Sequence, residues 1–153
     1  MENPHSRNLR KGRVSLPNHL YLITTATHQR TLTFSDITMG RIVVRALMHQ
    51  QQVQNATTLA YVIMPDHLHW LLQLGQNSPL STIMNHIKSG SARHINQRRN
   101  TPGRPVWQDG YHDRALRQEE DIRKIARYIV ANPLRAKLVT RIGDYPLWDA
   151  IWL

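Results

Sequence analysis

His67 and His69 flank Leu68 in the run Tyr61-Val62-Ile63-Met64-Pro65-Asp66-His67-Leu68-His69-Trp70-Leu71-Leu72. On an extended segment, residues two apart project to the same face, so the two imidazoles make a two-pronged donor set for a metal ion. A strand His-x-His is also compatible with histidines held for structural reasons. The neighbours sharpen the choice, because Leu68 and Trp70 take the face a core would claim and leave the histidines to a polar cleft.

A second group lies downstream. Tyr128 and Asn132 are four residues apart in a helical pattern and so share one helical face. The amide oxygen of Asn132 suits a hard cation that keeps positions open for water or a phosphate oxygen; taken without Tyr128, Asn132 reads rather as a helix-end residue before Pro133. A phenol titrates at about 10 and is a poor nucleophile until a metal or a cationic neighbourhood stabilises the phenolate. Lys124 lies on the face of Tyr128, and Arg127 is its neighbour, so either can help position a phosphate. Taken singly, Tyr128 is also compatible with an amphipathic surface residue. The joint pattern is that of a metal site with a tyrosine nucleophile beside it.

These residues need a sheet and a helix to hold them. Leu20 to Thr27 is β-branched and aromatic and reads as a first strand; Ser35-Asp36 offers an N-cap for a helix carrying Ile37, Ile42, Val43, Ala46 and Leu47. Thr57 to Ile63 and His67 to Leu74 read as a hairpin turning at Met64-Pro65-Asp66, with the histidines at the start of its second arm. Ser78-Pro79 opens a second helix with an apolar stripe from Leu80 to Ile95 and with Lys88, Arg93 and Arg98 on its other side. Asn100 to Pro105 breaks the chain, and the segment from Val106 to Leu116 contains a short last strand. Glu119-Glu120-Asp121 places three acids in the first turn of a helix that Pro133 ends. The order β, α, β, β, α, β predicts an α+β, ferredoxin-like antiparallel sheet, palm-like or RRM-like, followed by a C-terminal helix carrying Tyr128. The last residues, with Tyr145, Trp148 and Trp152, are expected to fold back onto the core.

The 153 residues, 41% hydrophobic, suffice for one compact domain, expected to span residues 1–153. The formal charge of +10, from 20 Lys and Arg against 10 Asp and Glu, is dispersed over three regions and is mostly arginine, the residue that forks onto phosphate. A nucleic-acid partner is the expectation; a solvated basic surface is the bland alternative. There is no cysteine, which excludes disulfides and thiolate metal sites. The N-terminus lacks an apolar signal core, and no apolar run approaches the roughly 20 residues of a membrane span, so a soluble protein of the cytoplasm and its nucleoid DNA is expected.

Four blocks together resemble the single-tyrosine HUH transposases, and most of all the REP-associated tyrosine transposases: Met64-Pro65-Asp66-His67-Leu68-His69-Trp70, Ile87-Lys88-Ser89, Val106 to Arg114, and Tyr128-Ile129-Val130-Ala131-Asn132-Pro133. The resemblance covers most of residues 15 to 150. It implies an enzyme that cleaves and rejoins single-stranded or hairpin DNA with Mg²⁺ or Mn²⁺, in DNA transposition or mobilisation of repeated palindromes. His67, His69 and Asn132 would hold the metal, and Tyr128 would attack the scissile phosphate to leave a 5′-phosphotyrosine. Recognition of DNA hairpins is implied too, which makes Arg7, Arg10, Lys11, Arg13, Lys88 and Arg93 candidate DNA contacts beside Lys124 and Arg127. The resemblance allows a monomer or a homodimer. Two other functions fit the residues: a non-catalytic module binding nucleic-acid hairpins on its sheet, and a hydrolase whose metal activates water without a tyrosine intermediate.

Overall fold

The computed structural model describes residues 15–117 and 120–152. Its elements run β1 (Leu20–Ala26), α1 (Ile37–Gln52), β2 (Ala56–Met64), β3 (His67–Leu74), α2 (Leu80–Arg99), β4 (His112–Ala115), α3 (Ile122–Val130), α4 (Asn132–Arg135) and β5 (Trp148–Ala150). Short 3₁₀ turns occupy His28–Arg30, Thr33–Ser35 and Ile142–Asp144.

The strands form one antiparallel sheet in the order β4-β1-β3-β2-β5. The expected ferredoxin-like order supplies the first four. The fifth was read from the sequence only as a chain folding back, because three residues are too few for a period-two pattern to register. It pairs with β2, setting Val62 opposite Trp148 and Ala60 opposite Ala150.

The alternation of β3 divides the molecule into two layers. Leu68, Trp70, Leu72 and Leu74 are fully or nearly fully buried on one face, where they meet α1 and α2 through Val43, Leu47, Ile83 and Met84. Each such side chain contributes about 1.5–3 kcal/mol of apolar burial. The Trp70 indole stays in this core because its Nε1 donates to Thr58 Oγ1 at 3.0 Å. Leu71, on the opposite face of β3, joins Ala60, Val62 and Met64 of β2 in a second cluster, closed by Ala126, Ile129 and Val130 of α3. With both faces covered, β2 is buried at every position but Thr57, which explains its nearly unbroken apolar run.

Asp36 caps α1 as read, its carboxylate accepting from the Thr38 amide at 2.9 Å. The acids before α3 behave differently from the sequence reading. Asp121 is the N-cap, accepting from the Lys124 amide at 3.1 Å, and the helix has no acid in its first turn. Glu120 precedes the helix and is held by Arg114 and by the Arg117 amide, each at 2.6 Å, which keeps its carboxyl below the usual range. A carboxylate offered a guanidinium and a free amide in a turn gains more there than from the helix dipole. Glu119 and the basic candidates Arg7, Arg10, Lys11 and Arg13 lie outside the described residues.

Candidate active site

The two layers fix where the histidines point. Leu68 and Trp70 enter the α1/α2 core, and His67 and His69, half-buried, face the layer that contains α3. Their rings lie edge to face with centroids 4.8 Å apart. The histidine pair and the tyrosine helix, far apart in sequence, therefore share one face of the sheet.

Each imidazole is oriented through one nitrogen. Thr24 lies directly opposite His69 in the β1–β3 register, and its Oγ1 is 2.9 Å from His69 Nδ1. Asp66 Oδ1 is 2.7 Å from His67 Nδ1, and its other oxygen accepts from Arg30 Nε at 3.0 Å. Burial raises the Asp66 pKa, but the His67 hydrogen bond and Arg30 outweigh it and hold the carboxyl below its ordinary value. Arg30 reaches Asp66 from a turn in which Gln29 and Arg30 both adopt left-handed φ values, 53° and 55°. For residues with a β-carbon that conformation costs about 1–2 kcal/mol each, and strained backbone of this kind gathers at functional sites.

Burial, then the nearby His67, Arg135 and Arg30, push the His69 pKa down to about 4. His69 is thus neutral at physiological pH, the state in which imidazole binds a metal. In the tautomer whose Nδ1–H donates to these partners, each Nε2 keeps a lone pair for a cation, and partners on the far nitrogen are how proteins fix metal-binding histidines. The residues fit a divalent cation on these grounds. Among the described residues no three His, Cys, Asp or Glu side chains gather in a metal-holding cluster, so a cation held by the two histidines would take its further ligands from amide, water or substrate oxygens.

Tyr128 is 65% exposed on α3, with Lys124 and Arg127 exposed on the same helix. The Arg135 guanidinium sits 3.8 Å from the centroid of its ring, a cation–π contact. Arg135 is also one of the charges that depress His69, so one side chain touches the tyrosine and acts electrostatically on His69. Arg135 is not singled out by the sequence, because it lies seven residues from Tyr128 beyond an apparent helix break at Pro133.

Asn132 is half-buried, but it does not share a continuous helix with Tyr128. α3 ends at Val130, and Asn132 opens the four-residue α4 that packs near β2. Pro133 is the cause, since it lacks the amide that would continue the hydrogen-bond ladder. The Asn132 side chain makes no hydrogen bond among the described residues. Lys88 is half-buried, and its Nζ donates to the carbonyls of Gln108 and Gly110 at 2.6 Å each, tying α2 to the segment that leads into β4. That segment delivers His112, which the register places opposite Thr24 and hence on the face of His69. Neither Thr24 nor His112 was singled out from sequence, because only the register of three strands aligns them.

Replacing Thr24 with Val keeps the strand but removes the Nδ1 partner of His69. Mn²⁺ affinity, followed by titration calorimetry, is expected to fall about tenfold to a hundredfold, and Thr24→Ser to restore it. Unchanged affinity in Thr24→Val would remove Thr24 from the positioning of the site.

The family described as transposase IS200 like matches residues 15–132. The chain belongs to this family. Among relatives of this IS200-like protein, a Haemophilus influenzae protein with the provisional name REP-associated tyrosine transposase is 28% identical over 98 residues, covering 58% of this chain and 56% of its own. The chain thus spans just over half the length of that relative. A REP-associated tyrosine transposase solved bound to a REP hairpin has the same fold, with a TM-score of 0.71 and 20% identity over 89% of this chain and 79% of its own. A protein from Deinococcus radiodurans R1, provisionally described as a transposase and solved by crystallography, is similar at a TM-score of 0.54 and 21% identity, covering 77% of this chain and 93% of its own. Among the described residues of this IS200-like chain, no helix is long and apolar enough to cross a membrane.

Proposed function

We propose that this protein is a metal-dependent tyrosine transposase that cleaves and rejoins single-stranded hairpin DNA, acting on nucleoid DNA in the cytoplasm. The observation that carries the reading is Arg135, which lies against the Tyr128 ring and within electrostatic reach of His69. Membership of the IS200-like family and the hairpin bound by a protein of the same fold support the substrate class.

In the proposed reaction the Tyr128 phenol oxygen attacks the scissile phosphorus. A phosphorus–phenol oxygen bond forms as the bond to the 3′-oxygen breaks, and the phenol proton passes through solvent to the departing oxygen. The products are a 5′-phosphotyrosine and a free 3′-hydroxyl. Attack by a 3′-hydroxyl on that linkage reverses the exchange and rejoins strands, with one phosphoester lost for each one gained. Arg135 orients the ring and stabilises negative charge developing on its oxygen. Lys124 and Arg127 hold the neighbouring phosphates. His67 and His69 would hold Mg²⁺ or Mn²⁺, with Asn132 as the third protein ligand; a cation bound there supplies charge neutralisation at the phosphate oxygens. Thr24 and Asp66 keep the imidazoles turned for that task.

The test is a denaturing gel of the protein with end-labelled single-stranded hairpin DNA, in Mn²⁺ or in EDTA. A covalent protein–DNA species that requires Mn²⁺ is expected. Binding without an adduct over a panel of hairpins would overturn the enzymatic reading in favour of a hairpin-binding module.

A further inference from the structure

The register sets five residues in one row across the sheet. His112 of β4 lies opposite Thr24 of β1, Thr24 opposite His69 of β3, His69 opposite Val62 of β2, and Val62 opposite Trp148 of β5. Directly opposed residues of antiparallel strands project to one face, so the whole row stands on the side of the sheet that carries the histidine pair. Its two ends differ. The helix bearing Tyr128, α3, packs over β2 and β5, and Val62 is buried with Ala126, Ile129 and Val130 of that helix. At the β4 end, His112 is exposed.

Neighbouring strands lie about 4.8 Å apart, so the backbones of His69 and His112 stand roughly 10 Å apart with only the short Thr24 side chain between them. Thr24 is turned toward His69, with its Oγ1 2.9 Å from Nδ1. The His112 side chain has no hydrogen-bond or ion-pair partner among the described residues. Arg114, two residues along on the same face, is tied to Glu120 at 2.6 Å. β1 and β4 present Leu20, Leu22, Thr24, Ala26, His112 and Arg114 on this face. Among these groups only an imidazole both gives and takes a proton readily near neutral pH; a guanidinium does not release one.

The proposed cleavage, on which this inference rests, places the scissile phosphate at the histidine pair and brings the phenol oxygen to it from the α3 side. In an in-line displacement the attacking and leaving oxygens lie on opposite sides of phosphorus. The departing 3′-oxygen is then directed toward β1 and β4, the side on which His112 stands. An alkoxide leaves poorly unless a positioned acid protonates it as the bond breaks.

We propose that His112 is the general acid for the departing 3′-oxygen and the general base for the 3′-hydroxyl when strands rejoin. In cleavage the electron pair of the phosphorus–3′-oxygen bond stays on that oxygen and takes the proton of the His112 imidazolium, giving the 3′-hydroxyl and a neutral imidazole. Solvent, which receives the phenol proton, returns one to His112. In rejoining, neutral His112 accepts the proton of the attacking 3′-hydroxyl, and the phenolate released from phosphorus is protonated from solvent. Thr24 thus separates two imidazoles with different tasks, His69 for a cation and His112 for a proton.

The experiment compares single-turnover rates of adduct formation at saturating hairpin DNA in Mn²⁺, with the natural 3′-oxygen at the mapped scissile phosphate and with sulfur in its place. A thiolate leaves without being protonated, because a thiol is far more acidic than an alcohol. His112→Ala is expected to slow adduct formation on the oxygen substrate by roughly 10²-fold to 10⁴-fold and to react with the sulfur substrate at about the wild-type rate. A wild-type rate on the oxygen substrate would overturn the proposal. Equal slowing on both substrates would also overturn it, by assigning His112 to phosphate contact or to structure. Should His112→Ala not fold by circular dichroism, His112→Asn, which keeps a polar group of similar size, is read by the same two rates. Absence of any adduct in the wild-type protein overturns the cleavage reading itself and this assignment with it, an outcome distinct from a variant that matches wild type.

Discussion

Tyr128→Phe is expected to abolish the covalent DNA adduct while leaving DNA binding within about twofold of wild type. The substitution removes one oxygen from a side chain that is 65% exposed, so stability should change by less than about 0.5 kcal/mol. The ring stays under Arg135, and the cation–π contact survives. Only the atom that would bond to phosphorus is lost. Removing a nucleophile commonly costs on the order of 10⁴-fold or more in rate, so no adduct should be visible on a gel loaded with variant protein. Strand cleavage that persists in Tyr128→Phe would point instead to metal-activated water and would remove the tyrosine from the mechanism.

The second large effect is expected at His69. His69→Ala deletes one of the two imidazoles and leaves His67 with its Asp66 contact intact. Mn²⁺ affinity, read by titration calorimetry without DNA, should fall by more than about 100-fold, since loss of an orienting partner alone costs 10–100-fold in comparable sites. Adduct formation should fall with it and should not be recovered at high Mg²⁺. The direct metal readout separates this result from a change in DNA handling. A variant that binds Mn²⁺ as wild type does would show that the metal sits elsewhere.

The sequence carried the framework of the site further than its details. The period-two pattern of Leu68 and Trp70 against His67 and His69 fixed which way the imidazoles face, and burial of both apolar residues in the α1/α2 core agrees. The order of elements predicted the four-strand core because helical and strand periods alternate cleanly along the chain. What escaped notice depends on pairing between distant segments. Thr24 is one of two adjacent threonines in β1, and only the register to His69 distinguishes it. Arg135 lies beyond a proline that reads as a stop, although the chain turns into α4 and brings the guanidinium back to Tyr128. The same proline separates Asn132 from the helix that its spacing suggested. Asp66 was visible beside His67, but its use as a brace required the left-handed turn at Gln29 and Arg30, which no residue type there announces.

The position of β3 within the sheet divides the site into parts of unequal firmness. The strand bearing both histidines is paired on its two sides, to β1 and to β2, and its other face is sunk in the larger core. Moving those imidazoles means opening the whole molecule. Tyr128 rides on a nine-residue helix that leans on the smaller cluster through Ala126, Ile129 and Val130. Lifting that helix would strip far fewer contacts than breaching the sheet, and partial openings follow the lowest-cost route. The molecule thus resembles a vice with one fixed jaw: in the proposed reaction the anchored histidines would set the position of the scissile phosphate, and the tyrosine would be the half free to advance and withdraw.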